Sequence, residues 1–147
     1  MLLSYRRYFE LEPERLYGIY AQSIQNVYGS NFAFMEDISL FFDEPEAVLF
    51  VWEAQEGAVA ALRTEPYRGD GYLISCLETA PVCRRKGYAE NLMTALFAAQ
   101  PGVYYAHVDK RNKASLAVHR KLGFSIICDH AVHVDGSVYS NSFTLKK

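Results

Sequence analysis

Two apolar spacings share this chain, and the switches between them set its elements. Leu2 to Phe9 reads as a first strand. Pro13 sits where a helix can start. Leu16, Tyr20, Ile24 and Val27 follow three or four apart, predicting a helix from Glu14 to Val27. Gly29-Ser30-Asn31 interrupts it, and Met35, Ile38, Phe41 and Phe42 predict a second, short helix. Ala47 to Ala54 and Ala58 to Thr64, rich in Val, Leu, Phe and Trp, read as strands joined at Glu56-Gly57. Beyond the loop Tyr67 to Gly71, Tyr72 to Thr79 is another strand, ended by Pro81. Ala89, Leu92, Met93, Leu96 and Phe97 make the clearest helical stripe, with Glu90, Asn91 and Thr94 opposite and Pro101-Gly102 as the stop. Val103 to Val108 is a strand, and Lys113 to Leu122 is a helix closed by Gly123. Phe124 to Val134 and Ser137 to Leu145 are strands joined across Asp135-Gly136.

The order β-α-α-β-β-β-α-β-α-β-β is that of an α/β (α+β) chain with about seven strands and about four helices. The central strand–helix–strand alternation implies a parallel pair, and the hairpins imply antiparallel pairs around it. At 147 residues, with no repeat, linker or low-complexity stretch, a single domain spanning 1–147 is expected.

Composition narrows the function. Half the residues are hydrophobic and 22% charged, which is globular and not disordered. Fifteen Lys and Arg against seventeen Asp and Glu give a net charge of −2, which argues against nonspecific nucleic-acid binding. Cys76, Cys83 and Cys128 form no CxxC and show no His at ligand spacing, so no metal site and reduced thiols are expected. The chain turns polar at Ser4-Tyr5-Arg6-Arg7, and no apolar run approaches a membrane span. A cytoplasmic protein without a signal peptide or membrane partner is expected.

The informative segment is Arg84-Arg85-Lys86-Gly87-Tyr88-Ala89, between a strand and the clearest helix. A helix start exposes unpaired N–H groups and partial positive charge. It is usually capped by Ser, Thr, Asp or Asn. Here three cations stand in that place, and Gly87 lets a ligand approach the backbone. The combination predicts a phosphate or pyrophosphate on the helix start. A second polar row follows: Asn112, Ser115 and His119 share one face of the next helix, beside the apolar Ala114, Ala117, Val118 and Leu122.

These segments carry a resemblance. Arg84 to Ala89 is similar to the (Gln/Arg)-x-x-Gly-x-(Gly/Ala) signature of the GNAT family of N-acetyltransferases, and Leu77 to Pro81 to the strand end before it. Asn112 to Phe124 resembles the family's second block, Asn-x-x-(Ala/Ser), then usually Tyr, then Lys-Leu-Gly-Phe. The resemblance implies a mixed, mostly antiparallel sheet whose central parallel pair splays to hold acetyl-CoA. The pyrophosphate would lie on the N–H groups from about Arg85 to Ala89, with Arg84, Lys86, Gly87 and Tyr88 in the same loop. The pantetheine arm would pair with the strand at Leu77 to Thr79, and Asn112, Ser115 and His119 would face the cofactor. A backbone N–H near Thr79 is the family's usual oxyanion donor.

The implied reaction is acetyl transfer from acetyl-CoA to a primary amine of a small molecule or amino acid, by direct attack in a ternary complex. The amine must lose a proton first, since its pKa in water is about 10.4. His107, on the strand Val103 to Val108, is the first candidate base, and Glu78 the second. His119 occupies the position usually held by the Tyr general acid, so an acid role and a binding role both stay open. His130 and His133 are expected to be structural or at the acceptor rim. In the family the acceptor pocket draws on the first helices and last hairpin, here Tyr28, Asn31, Phe32, Phe34 and Tyr139, whose rings are otherwise core. The acidic Asp43, Glu44 and Glu46 hint at a polycationic acceptor. A protein or peptide amine acceptor and a non-catalytic CoA-binding regulatory module stay open beside the leading reading. Homodimers are common in the family, so a second copy is among the implied partners.

Overall fold

The computed structural model describes residues 1–147. Strand β1 (Leu2–Tyr5) is followed by a 3-10 turn at Tyr8–Glu10, then α1 (Pro13–Ile19), α2 (Ala21–Ser23), a π turn at Ile24–Tyr28 and α3 (Asn31–Phe41). Next come β2 (Val48–Ala54), β3 (Gly57–Tyr67) and β4 (Gly71–Thr79), then α4 (Tyr88–Ala99), β5 (Val103–Asp109) and α5 (Lys113–Lys121). The chain closes with β6 (Ser125–Cys128), β7 (Ala131–Val132), β8 (Val138–Tyr139) and β9 (Ser142–Lys146).

Seven strands form one sheet in the order β1-β2-β3-β4-β5-β9-β6, and β4/β5 is its parallel pair. Strand pleating sends alternate side chains to opposite faces. Phe50, Leu62, Ile74, Tyr104 and Leu145 pack against Leu92, Met93 and Leu96 of α4 and Leu116 of α5. Leu49, Val51 and Ala61 pack on the other face against Leu16, Ile19, Phe34 and Ile38 of the N-terminal helices. No helix is long and apolar enough to cross a membrane.

Three elements depart from the sequence reading, each for a tertiary reason. The single helix expected over Glu14 to Val27 breaks at Tyr20 (φ −96°, ψ 16°), giving five helices where four were expected. The Tyr20 ring is buried and its hydroxyl donates to the Cys76 carbonyl at 2.6 Å, tying the break to the sheet. The first strand stops at Tyr5 because Glu10 Oε1 accepts both the Arg6 and Arg7 N–H groups at 2.9 Å. The two long C-terminal strands are each split. β9 is already paired on both edges, by β5 and β6, while β7 and β8 form a separate small ladder.

The site depends on how β4 and β5 part. They pair only from Gly71↔Val103 to Ile74↔Ala106. A Cβ on Gly71 would lie 2.3 Å from the Val103 carbonyl oxygen, so only glycine permits this approach at the closed end. Farther along, the β3/β4 register slips between Ala61↔Glu78 and Arg63↔Ser75, placing one extra residue in β4. Cys76 sits in this bulge at φ 52°, left-handed for a non-glycine. The bulge turns Ser75 to Thr79 away from β5 and leaves that edge without a strand partner.

Candidate active site

The start of α4 is built from backbone. Arg85 (φ 66°) and Gly87 (φ 78°) are both left-handed, and no side chain caps the helix. Every N–H from Arg84 to Glu90 lacks an acceptor; the first bond of the helix runs from Asn91 N–H to the Gly87 carbonyl at 3.0 Å. Consecutive amides around left-handed residues form a concave anion nest, and the helix dipole adds positive potential there. The geometry fits a phosphate or pyrophosphate.

The basic side chains contribute less than their number suggests. Lys86 pairs with Glu56 at 3.0 Å, and Tyr88 donates to the same carboxylate at 2.7 Å. The Tyr88 hydrogen bond, then that of Lys86, pull the Glu56 pKa down to about 2. Arg84 donates to Gln22 Oε1 at 2.5 Å and lies 4.0 Å from Glu78. Arg85 makes no ion pair. So one of the three cations stays unspent, and Glu56 relieves part of the charge that the sequence reading assigned wholly to an anion.

From the nest a groove of about 500 Å³ runs between the open β4 edge and α5. Leu77, Glu78 and Thr79 line one wall, Asn112 and Ser115 the other, with Arg84, Arg85 and Ala89 at the nest end. Lys86, Gly87 and Tyr88 do not line it. Asn112 caps α5, its Oδ1 accepting the Ser115 N–H at 3.1 Å.

The groove continues into a cleft of about 210 Å³ between the splayed strands, reached by His107 and His119. His119 is 3% exposed. Its Nδ1–H donates to the Ser115 carbonyl at 2.7 Å, and burial holds its pKa below the ordinary imidazole value. The neutral ring therefore presents Nε2 as an acceptor. His107 lies on the opposite sheet face, within 3.3 Å of the Tyr67 hydroxyl and 5.0 Å (ring centres) from His133. Burial, then His133 and Arg68, push its pKa down to about 4.

Glu78 joins the groove to a third space, a cavity of about 70 Å³ walled by Tyr20, Ser23, Tyr28, Arg63, Cys76 and Glu78. Ser23 Oγ donates to Glu78 Oε1 at 2.9 Å and fixes the carboxylate. Of the aromatic residues expected at the acceptor, only Tyr28 reaches this cavity. Phe34 is fully buried core, and Phe32 is 78% exposed. Tyr139 packs on His133 at 4.3 Å in the C-terminal ladder. Asp43, Glu44 and Glu46 do not line it.

The comparisons bear on what this arrangement is. The Acetyltransferase (GNAT) family profile matches residues 8–124. The chain belongs to the GNAT acetyltransferase family. No curated protein sequence matches it. Among solved structures, this GNAT chain is similar to aminoglycoside 6'-acetyltransferase type Ii (TM-score 0.72, 18% identity, covering 100% of this chain and 96% of that one). It is also similar to a ribosomal-protein-alanine N-acetyltransferase from Brucella melitensis (TM-score 0.71, 18% identity, 100% and 98% covered). An aminoglycoside 6'-N-acetyltransferase complexed with coenzyme A superposes at TM-score 0.70 with 15% identity, covering 100% and 96%. At these identities the likeness is one of fold.

Several residues of this GNAT site escaped the sequence reading. Tyr20, Ser23 and Glu56 act through partners 30 to 56 positions away. Arg63 carried a signal: a charge directly after the apolar run Ala58 to Leu62, two residues past buried Ala61. One grouping of ligand-type residues lay outside the spacing reading. Cys128, Asp129 and His130 do bring ligand-type atoms together, with Sγ 3.4 Å from His130 Nδ1 at the break between β6 and β7. Adjacent residues at a strand break turn toward one another, which spacing rules built on separated ligands miss. None of the three lines the groove.

Proposed function

We propose that this GNAT protein is an N-acetyltransferase, moving an acetyl group from acetyl-CoA to a primary amine of a small molecule or amino acid by direct attack in a ternary complex. One observation carries the reading. The unpaired amides from Arg84 to Glu90 open onto the unpaired edge of β4, and Glu78 stands between that groove and a separate cavity. A two-substrate site needs this layout: a long polar track for one ligand and a second pocket meeting it at a base.

Acetyl-CoA supplies the activated acyl group when bound. The Arg85–Ala89 amides would hold its pyrophosphate, Leu77 to Thr79 the peptide-like arm, and Asn112 and Ser115 the facing side. Glu78, fixed by Ser23, takes the proton from the acceptor ammonium. This role suits Glu78 better than His107, since Glu78 stands where the groove meets the small cavity, whereas His107 lies on the opposite sheet face against the Tyr67 hydroxyl. The backbone near Thr79 offers N–H groups toward developing negative charge. His119 spends its one proton on Ser115, so its place here is to bind and wall the cleft, and the leaving thiolate gains no proton from it at neutral pH.

Thiol release from acetyl-CoA, followed over a panel of primary amines, tests the proposal. Glu78→Gln should cut kcat by roughly 10²- to 10⁴-fold while acetyl-CoA affinity holds. Acetyl-CoA binding without thiol release from any amine would favour the non-catalytic module instead, a reading that the missing Tyr at His119 keeps specific.

A further inference from the structure

Arg63 is a buried cation with little to do in the fold. It lies on β3 at 6% exposure, on the face that meets the N-terminal helices. A guanidinium carries five N–H donors. Its Nη2 donates to Asp37 Oδ2 at 3.0 Å, its Nε is buried without an acceptor, and its Nη1 makes no hydrogen bond. Its plane is backed by the Phe41 ring, 5.1 Å from the guanidinium carbon. The same Asp37 oxygen also accepts from Tyr28 at 2.8 Å. Buried donors in native proteins nearly always have partners. A structural ion pair holding α3 to the sheet accounts for Nη2 alone.

Arg63 is one wall of the small cavity beside Glu78, with Ser23 and Tyr28 among the others. One wall is a carboxylate and another a guanidinium. That pairing matches a molecule carrying an ammonium and a carboxylate on one short head group. Guanidinium binds carboxylate through paired, charge-assisted hydrogen bonds and stays protonated at any working pH.

We infer that Arg63 binds a carboxylate of the acceptor, which is therefore an amino acid presenting its amine to Glu78. Resting on the N-acetyltransferase reading, the inference names the acceptor class within it. A polyamine or an amino sugar brings no carboxylate to pair with the Arg63 charge. A peptide N-terminus brings a neutral amide where the carboxylate is required.

The test uses the wild-type protein with saturating acetyl-CoA, the free amino acids, and the same amino acids as C-terminal carboxamides, read by thiol release. The carboxylate forms should exceed their carboxamides in kcat/KM by roughly ten- to a hundredfold, the range for losing a charged hydrogen-bond partner from a buried site. Arg63→Met should abolish the preference. If that variant fails to fold, the wild-type ratio decides alone. Equal rates for the two series, or no turnover of any free amino acid by a protein that binds acetyl-CoA, overturns the inference. A protein that binds no acetyl-CoA overturns instead the reading beneath it.

Discussion

Acid should weaken this protein through His107. The Tyr67 hydroxyl donates to the Val132 carbonyl, so it accepts from His107 Nε2–H, and the neutral tautomer is the one that fits. A proton added at Nδ1 would meet desolvation first, then His133, then Arg68, whose guanidinium lies over the Tyr67 and Tyr105 rings. Together these hold the folded pKa at about 4 against an ordinary 6.5. The unfolded chain then takes up the proton more readily than the folded one. Stability from neutral His107 is complete above pH 6.5, falls as pH drops from 6.5 towards 4, and levels off below. At about 1.36 kcal/mol per unit, the gap sets a ceiling near 3.4 kcal/mol. Solvent screening of a half-buried ring reduces this to about 1.5–2 kcal/mol. A domain of this size moves by roughly 2–4 °C per kcal/mol, so His107 accounts for a fall of about 3–8 °C in Tm between pH 7 and pH 4.5. Calorimetry of the wild type and His107→Gln across that range checks it. Gln keeps a donor for Tyr67 but does not titrate, so the variant should lose less stability by that amount. His119, also depressed, titrates in both proteins and cancels in the comparison. Parallel falls in the two proteins would refute the reasoning.

Two backbone positions give independent checks. Gly71→Ala puts a Cβ 2.3 Å from the Val103 carbonyl oxygen and forces β4 from β5. It should cost about 1–3 kcal/mol, read as a lower Tm, and an unchanged Tm would contradict the close approach. Gly87→Val places a branched side chain at φ 78° with nothing nearby to clash. The conformation alone should cost about 1–2 kcal/mol and weaken acetyl-CoA binding, while unchanged affinity would remove Gly87 from the nest.

The nest was legible in the sequence because it is local: a strand, a basic run, a glycine and an amphipathic helix follow one another without a gap. The polar face of α5 was legible for the same reason, since Asn112, Ser115 and His119 lie within two turns. The surroundings of the small cavity beside Glu78 were not. Ser23 and Glu78 are 55 residues apart, Arg63 and Asp37 26, and no periodicity announces such pairs. The break at Tyr20 was hidden by continuous helical spacing on either side, because its cause is a hydrogen bond to the bulge at Cys76. That bulge was itself invisible, as a single extra residue leaves the apolar run of β4 intact. The unspent state of Arg85, against the paired Lys86 and Arg84, likewise depended on where Glu56 and Gln22 fold back.

The central claim is that the unpaired amides from Arg85 to Ala89 hold the pyrophosphate of acetyl-CoA. Thermal unfolding with acetyl-CoA, and with ATP as the control, tests it most directly. At about 100 times its dissociation constant acetyl-CoA should add about 2.7 kcal/mol, or roughly 5–11 °C at this size, with no comparable shift from ATP. No shift at millimolar acetyl-CoA, or an equal shift with ATP, would contradict the claim and with it the acetyltransferase reading of this chain.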